Sequence, residues 1–158
     1  MSEVFPEAKF AARLGAVQAL YQMEASQIGV EAVIREFEEH RFHHLAKETG
    51  IPPHREHFSR VVHGVLDRQT DIDRGIDSVL KAGWPIARLD ATVRAILRAG
   101  AFELLACSDV PARAALNEYL DVAHAFYSGE EIAFINGVLD QLAKRWRAEG
   151  ERDTSESG

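Results

Sequence analysis

Lys9 and Arg13 stand four residues apart, the spacing that stacks two side chains on one face of a helix. Gln18 and Tyr21 follow on the same segment. Two cations, an amide and a phenol are groups suited to single-stranded RNA. The cations hold phosphates, the ring stacks on a base, and the amide bonds to a base edge. A plainer explanation stands beside this one: Tyr21 also continues an apolar stripe, and basic pairs on helices are ordinary. His40, His43 and His44 occur at i, i+3 and i+4, and His54 and His57 form a second close pair. Neither group has a carboxylate or cysteine at a recognised metal-site spacing, so solvated polar positions account for them more simply than a metal. Asp71, Asp73 and Asp77 lie close together, but acid–base work needs a pocket that shifts a pKa, and a solvated helix face needs nothing. GxGxxG, P-loop and GxSxG patterns are absent. The single cysteine, Cys107, ends an apolar helix and reads as core; alone it makes no internal disulfide. No catalytic residue, metal or cofactor is expected.

The formal net charge is −7. Bulk electrostatic attachment to nucleic acid needs a basic surface, so any RNA binding has to come from a small local site. The opening MSEVFPEAKF lacks the basic start and apolar run of a secretory signal, and no stretch approaches the roughly 20 apolar residues of a membrane span. A soluble, cytoplasmic protein is expected.

The elements that position these residues are all helical. Leu14, Val17, Leu20 and Tyr21 recur at helical spacing and predict a helix over about 8–25, ended by Ser26-Gln27-Ile28-Gly29. Residues 30–48 give a weaker helix with Val33, Ile34, Phe37 and Leu45 in its stripe. Phe42 is a less secure member, and EFEEHR lies outside. Gly50-Ile51-Pro52-Pro53 is a breaker. Phe58, Val61, Val62 and Val65 mark the next helix, and Ile72, Ile76 and Val79 continue the pattern after a cap at Thr70-Asp71. Gly83-Trp84-Pro85 ends that half. A helix over about 86–106 follows. Pro111 is expected as the first residue of the next helix, and Glu130-Glu131 open the last. The polar tail 148–158 has no apolar face and predicts disorder. No run alternates long enough to make a strand. The expected fold is all-α, six or seven helices in one domain over 1–147, with halves at about 8–83 and 86–147.

Three stretches carry a resemblance. ARLGAVQALYQM (12–23) resembles the opening helix of the transcription antitermination factor NusB family. RAILRAGAFELLACSDVPARAALNEYLDVAHAF (94–126) is similar to its central pair of helices, and FINGVLDQLAK (134–144) to its final helix. The resemblance implies two packed three-helix bundles and no enzyme activity. It implies binding of boxA-type RNA from ribosomal-RNA operons together with ribosomal protein NusE, within the RNA polymerase antitermination complex. It places the RNA surface on Lys9, Arg13, Gln18 and Tyr21, joined by Glu130, Phe134 and Asn136. It places Arg94 and Glu103 toward the protein partner. Where relatives have an N-terminal arginine cluster this chain has KFAAR; where many have Lys before the Phe it has Ala133; where many have Glu it has Val93. Fewer phosphate contacts weaken binding and flatten its salt dependence, so weak RNA affinity is expected of the isolated protein, rescued by the basic partner. An acidic chain also gains steering toward a basic ribosomal protein. Two alternatives remain: a protein-only helical module or homodimer, and a small hydrolase or metal enzyme built on the histidines.

Overall fold

A computed structural model describes the backbone of residues 6–157 and the side chains of 7–147. Among the described residues every element is helical, as the patterning predicts. Contacts divide the chain into two compact units, Met1–Asp67 and Arg68–Gly158.

The first unit begins with α1 (Pro6–Ser26). Its middle is rich in alanine, and Ala11, Ala12, Ala16, Val17 and Ala19 are fully buried. Next comes one helical rod in three parts: α2 (Val30–Glu36), a π-helical segment (Phe37–Arg41) and α3 (Phe42–Thr49). In the π segment the Phe42 backbone N–H donates to the Phe37 carbonyl, a step of five residues instead of four. That extra residue brings both phenylalanines to one side. Phe37 stacks on Phe58 with ring centroids 5.5 Å apart, and Phe42 meets the same ring edge-on at 4.9 Å. Phe42 therefore belongs to the core. Gly50, at φ 82°, ends the rod in the left-handed conformation that a side chain disfavours. α4 (Arg55–Asp67) then packs chiefly on α1.

The second unit holds α5 (Gln69–Val79), a 3-10 turn (Ile86–Arg88), α6 (Ala91–Ala106), α7 (Ala112–His124) and α8 (Glu130–Ser157). α5 packs on α6 and α8, so it joins the second unit. The boundary thus falls at Asp67–Arg68 and not at the stronger-looking Gly83-Trp84-Pro85 break. α6 is the hub. From Val93 to Leu104 all its residues are buried except Arg98, and a helix enclosed on nearly every side is a core helix. Arg98 is half-buried and forks onto Asp73 of α5 through bonds of 2.9 and 3.0 Å. Asp90 caps α6 by accepting the Val93 N–H. Pro111 sits one residue earlier than expected, in the cap position before α7. The α8 backbone continues as helix to Ser157, where a disordered tail was expected. That segment contains no proline, and each added residue gains one hydrogen bond.

Two arginines close the ends of α6. Arg94 reaches back to the carbonyls of Leu89 (2.6 Å), Ile86 (3.3 Å) and Ala87 (3.4 Å). Arg147 of α8 donates to the carbonyls of Leu104, Val110, Cys107 and Glu103 at 2.8–3.1 Å. The Glu103 and Cys107 carbonyls also accept the backbone N–H groups of Cys107 and Val110, so Arg147 adds a second bond to these two and lies on the last turn of α6 and the turn that follows it.

Candidate nucleic-acid interface

Of the seven candidates, four lie on α1 of the first unit and three on α8 of the second. On α1, Lys9 is half-buried, Arg13 is only 4% exposed, Gln18 is half-buried and Tyr21 is 46% exposed. Arg13 is engaged inside the protein. The expected pair of open cations is therefore reduced to Lys9. Five positions separate Arg13 from Gln18, which turns the helix by about 140°, so the four residues form two patches and not one face. The apolar stripe ends at Leu20, which is 8% exposed, and Tyr21 lies beyond it with its ring accessible.

On α8, Glu130, Phe134 and Asn136 are all exposed. Phe134, which sequence periodicity alone would assign to the core, is 38% exposed. It borders an open, largely apolar groove of about 770 Å³, with Trp84, Leu89, Val93, Val138 and Gln141 among its walls. Glu130 lines the same groove one turn earlier. Asn136 does not, because two residues on from Phe134 it points to the opposite side of the helix. Trp84 is a residue that the sequence patterns did not single out: it is 54% exposed and faces this groove. An aromatic ring inside a Gly-Trp-Pro break, where no helix can bury it, was the available signal. Lys81 and Arg88 supply cations at the rim; Glu130 and Glu131 supply anions. The first turn of α8 thus offers backbone N–H groups to a phosphate and two carboxylates against it. Tyr127 donates its hydroxyl to Asp90. Burial, then the Asp90 hydrogen bond and charge, push that phenol up to about 12.

The two residues expected to face a protein partner are corrected by their burial. Arg94 is 9% exposed and spends its guanidinium on the carbonyls before α6; Glu103 is fully buried and accepts the hydroxyl of Tyr119, also fully buried. Glu103, with no exposed surface, makes no contact across an interface, and the Arg94 guanidinium is occupied by its own chain. Val93, 6% exposed, lines the groove instead.

The histidines are spread out. No group of three or more His, Cys, Asp or Glu is arranged to hold a metal among the described residues. His54 serves the fold. Its Nδ1 accepts the backbone N–H of His57 at 3.1 Å, and its own backbone N–H donates to the Ala8 carbonyl at 2.9 Å. It thereby caps α4 and ties it to the start of α1. Burial, then the charge of Lys9 and the neighbouring His57, pull His54 below 6.5, against a smaller opposing pull from Glu56. A depressed folded pKa means the unfolded chain binds the proton more readily. The cap's contribution is complete above 6.5 and is lost as pH falls through the folded value. Melting temperature is accordingly expected to drop more between about pH 7.5 and about pH 5.5 in the wild type than in His54→Asn, which caps without titrating. Parallel pH curves for the two proteins would remove this role.

A family model described as the NusB family matches residues 11–144. The chain belongs to the NusB family. Among its relatives, the transcription antitermination protein NusB of Maricaulis maris (strain MCS10) is 51% identical over 135 residues, which cover 85% of this chain and 84% of that protein. Solved NusB structures share the fold. That of T. maritima NusB has a TM-score of 0.70 at 26% identity, covering 90% of this chain and 93% of the other. A structure of antitermination factors NusB and NusE in complex with dsRNA matches with a TM-score of 0.71 at 23% identity, covering 90% and 100%. The NusB match takes in the whole of α6 and α7, and the part of α8 that carries Phe134.

Proposed function

We propose that this chain is a transcription antitermination factor that binds boxA-type single-stranded RNA of ribosomal-RNA operons together with ribosomal protein NusE. It acts by binding and not by catalysis, in the cytoplasm, as part of the complex that helps elongating RNA polymerase resist termination. The observation that carries the RNA contact is the exposure of two aromatic rings, Tyr21 and Phe134, in a chain whose relatives are antitermination proteins. Exposed rings stack on unpaired bases whatever the base, while nearby polar groups select. Gln18 lies one turn from Tyr21 on one unit, with Lys9 in a separate patch of the same helix; Lys81 and Arg88 flank the Phe134 groove on the other. Arg13 serves as a buried support of α1, and Asn136 contributes from a different side of α8.

The test is binding of a boxA-containing RNA and a scrambled control at one fixed salt concentration, with and without NusE. The boxA RNA is expected to bind preferentially and more tightly with NusE present. Tyr21→Ala and Phe134→Ala each weaken it by about tenfold or more, since a stacked base contributes about 1–3 kcal/mol. Equal binding of both RNAs in both conditions would move the protein to a protein-only module. The observation behind that second reading is the open apolar groove at Trp84 and Phe134, which suits a protein side chain or a second copy as well as a base.

A further inference from the structure

Two cavities follow one another along α5 and α8. The Phe134 groove takes Val79 at the end of α5 and Gln141 of α8. A second cavity of about 460 Å³ begins at the next residues, with Ser78 and Arg74 of α5 and Arg145 and Trp146 of α8. On α8, Phe134, Gln141 and Arg145 are seven and eleven residues apart, close to two and three full turns, so they form one row about 16 Å long.

The two ends of this row differ in chemistry. The first is aromatic and apolar. The second carries three guanidinium groups, Arg68, Arg74 and Arg145, against one carboxylate, Asp71. Asp71 is taken by Arg68 at 3.3 Å. Arg145 donates to the Ser78 hydroxyl, which itself donates to the Gly75 carbonyl at 2.6 Å. A neutral partner fixes the Arg145 guanidinium in place without cancelling its charge. Arg74 is exposed, and among the described residues no ion pair or hydrogen bond engages it. The indole of Trp146 lies directly on α5: a Cβ at Gly75 would come within 2.4 Å of its Cζ2. An aromatic ring that shares a cavity with two arginines having no carboxylate partner among the described residues, on a chain of net charge −7, is a local cationic site.

We propose that single-stranded RNA held at Phe134 continues along the α5–α8 seam and places two further phosphates on Arg74 and Arg145. The proposal rests on the RNA-binding function given above and extends its footprint to nucleotides flanking the recognised element. The experiment uses the full chain with NusE and two RNAs, the boxA element alone and the same element extended by about six uridines on either side in turn. One extension is expected to tighten wild-type binding about tenfold and to steepen the log-affinity against log-salt slope by about 1.4, the value for two phosphate contacts on a single strand. In Arg74→Ala/Arg145→Ala the ratio of long to short RNA falls to about one, and in Arg74→Glu it falls at least as far as Arg74→Ala alone would take it. Both substitutions lie on exposed positions, and melting curves check that each variant is folded. An unchanged ratio in the double variant, or no gain from either extension while the short RNA still binds through Phe134, would overturn the track and leave the RNA-binding function standing. Failure of the short RNA to bind the wild type would overturn both.

Discussion

Glu103→Ala is expected to lower the unfolding free energy by about 4 kcal/mol, with no effect that depends on a protein partner. Glu103 and Tyr119 are both fully buried, and the Tyr119 hydroxyl donates to the Glu103 carboxylate in the core between α6 and α7. Truncation leaves a cavity where the side chain stood and removes the acceptor of a hydroxyl that water cannot reach. Each of these costs about 1–3 kcal/mol. Tyr119→Phe removes only the donor and is expected to cost about 2 kcal/mol. The double variant should be less destabilised than the two singles combined, because the penalty of an orphaned partner is no longer counted twice. Urea unfolding of the four proteins measures this. Strict additivity, or a Glu103→Ala loss below about 1 kcal/mol, would show that the pair does not hold the core.

Arg147→Ala is expected to cost about 3 kcal/mol, a large effect for a surface-reaching residue. Arg147 is half-buried and its guanidinium donates to four carbonyls at the close of α6 and in the turn before α7, two of which, Glu103 and Cys107, also accept a backbone N–H. Hydrogen bonds from a charged donor contribute more than neutral ones. The planar fork matters as much as the charge: Arg147→Lys keeps the cation but presents a single compact head, and should recover less than half of the loss. The midpoint of chemical unfolding is the readout. Full rescue by lysine would mean that charge near the helix end, and not the geometry of the fork, is responsible.

Much of the second unit was legible in the sequence. The apolar positions Ile96, Leu97 and Leu104, the Asp-Val-Pro turn and the acids opening α8 are local signals with local causes. What the sequence does not carry is the environment of a polar residue. Arg13, Arg94 and Glu103 resemble surface residues by type, yet all are buried and engaged within the protein, Arg94 by the carbonyls before α6 and Glu103 by Tyr119 of α7. Phe134 shows the converse. Its type suggests core, while its position at the edge of the buried face of α8 leaves it open, and only the resemblance to a family singled it out. The unit boundary escaped for a similar reason. Arg68 breaks the helix with its backbone at φ −111° and ψ 17°, without glycine or proline to announce it. The cationic end of the α5–α8 seam was invisible because Arg74 and Arg145 are far apart in the chain and meet only through packing.

The π segment between α2 and α3 separates chain length from core register. Phe37 and Phe42 are five residues apart and still meet the same Phe58 ring. In an unbroken α-helix the partner on that side would stand four residues away. A homologue with one residue fewer between its two phenylalanines keeps the same three-ring cluster by reverting to ordinary helical hydrogen bonds, and nothing on either side has to shift. The rod is thus a place where loss of one residue is absorbed within one turn. The Phe37–Phe42–Phe58 cluster thereby tolerates two chain lengths with one interior arrangement.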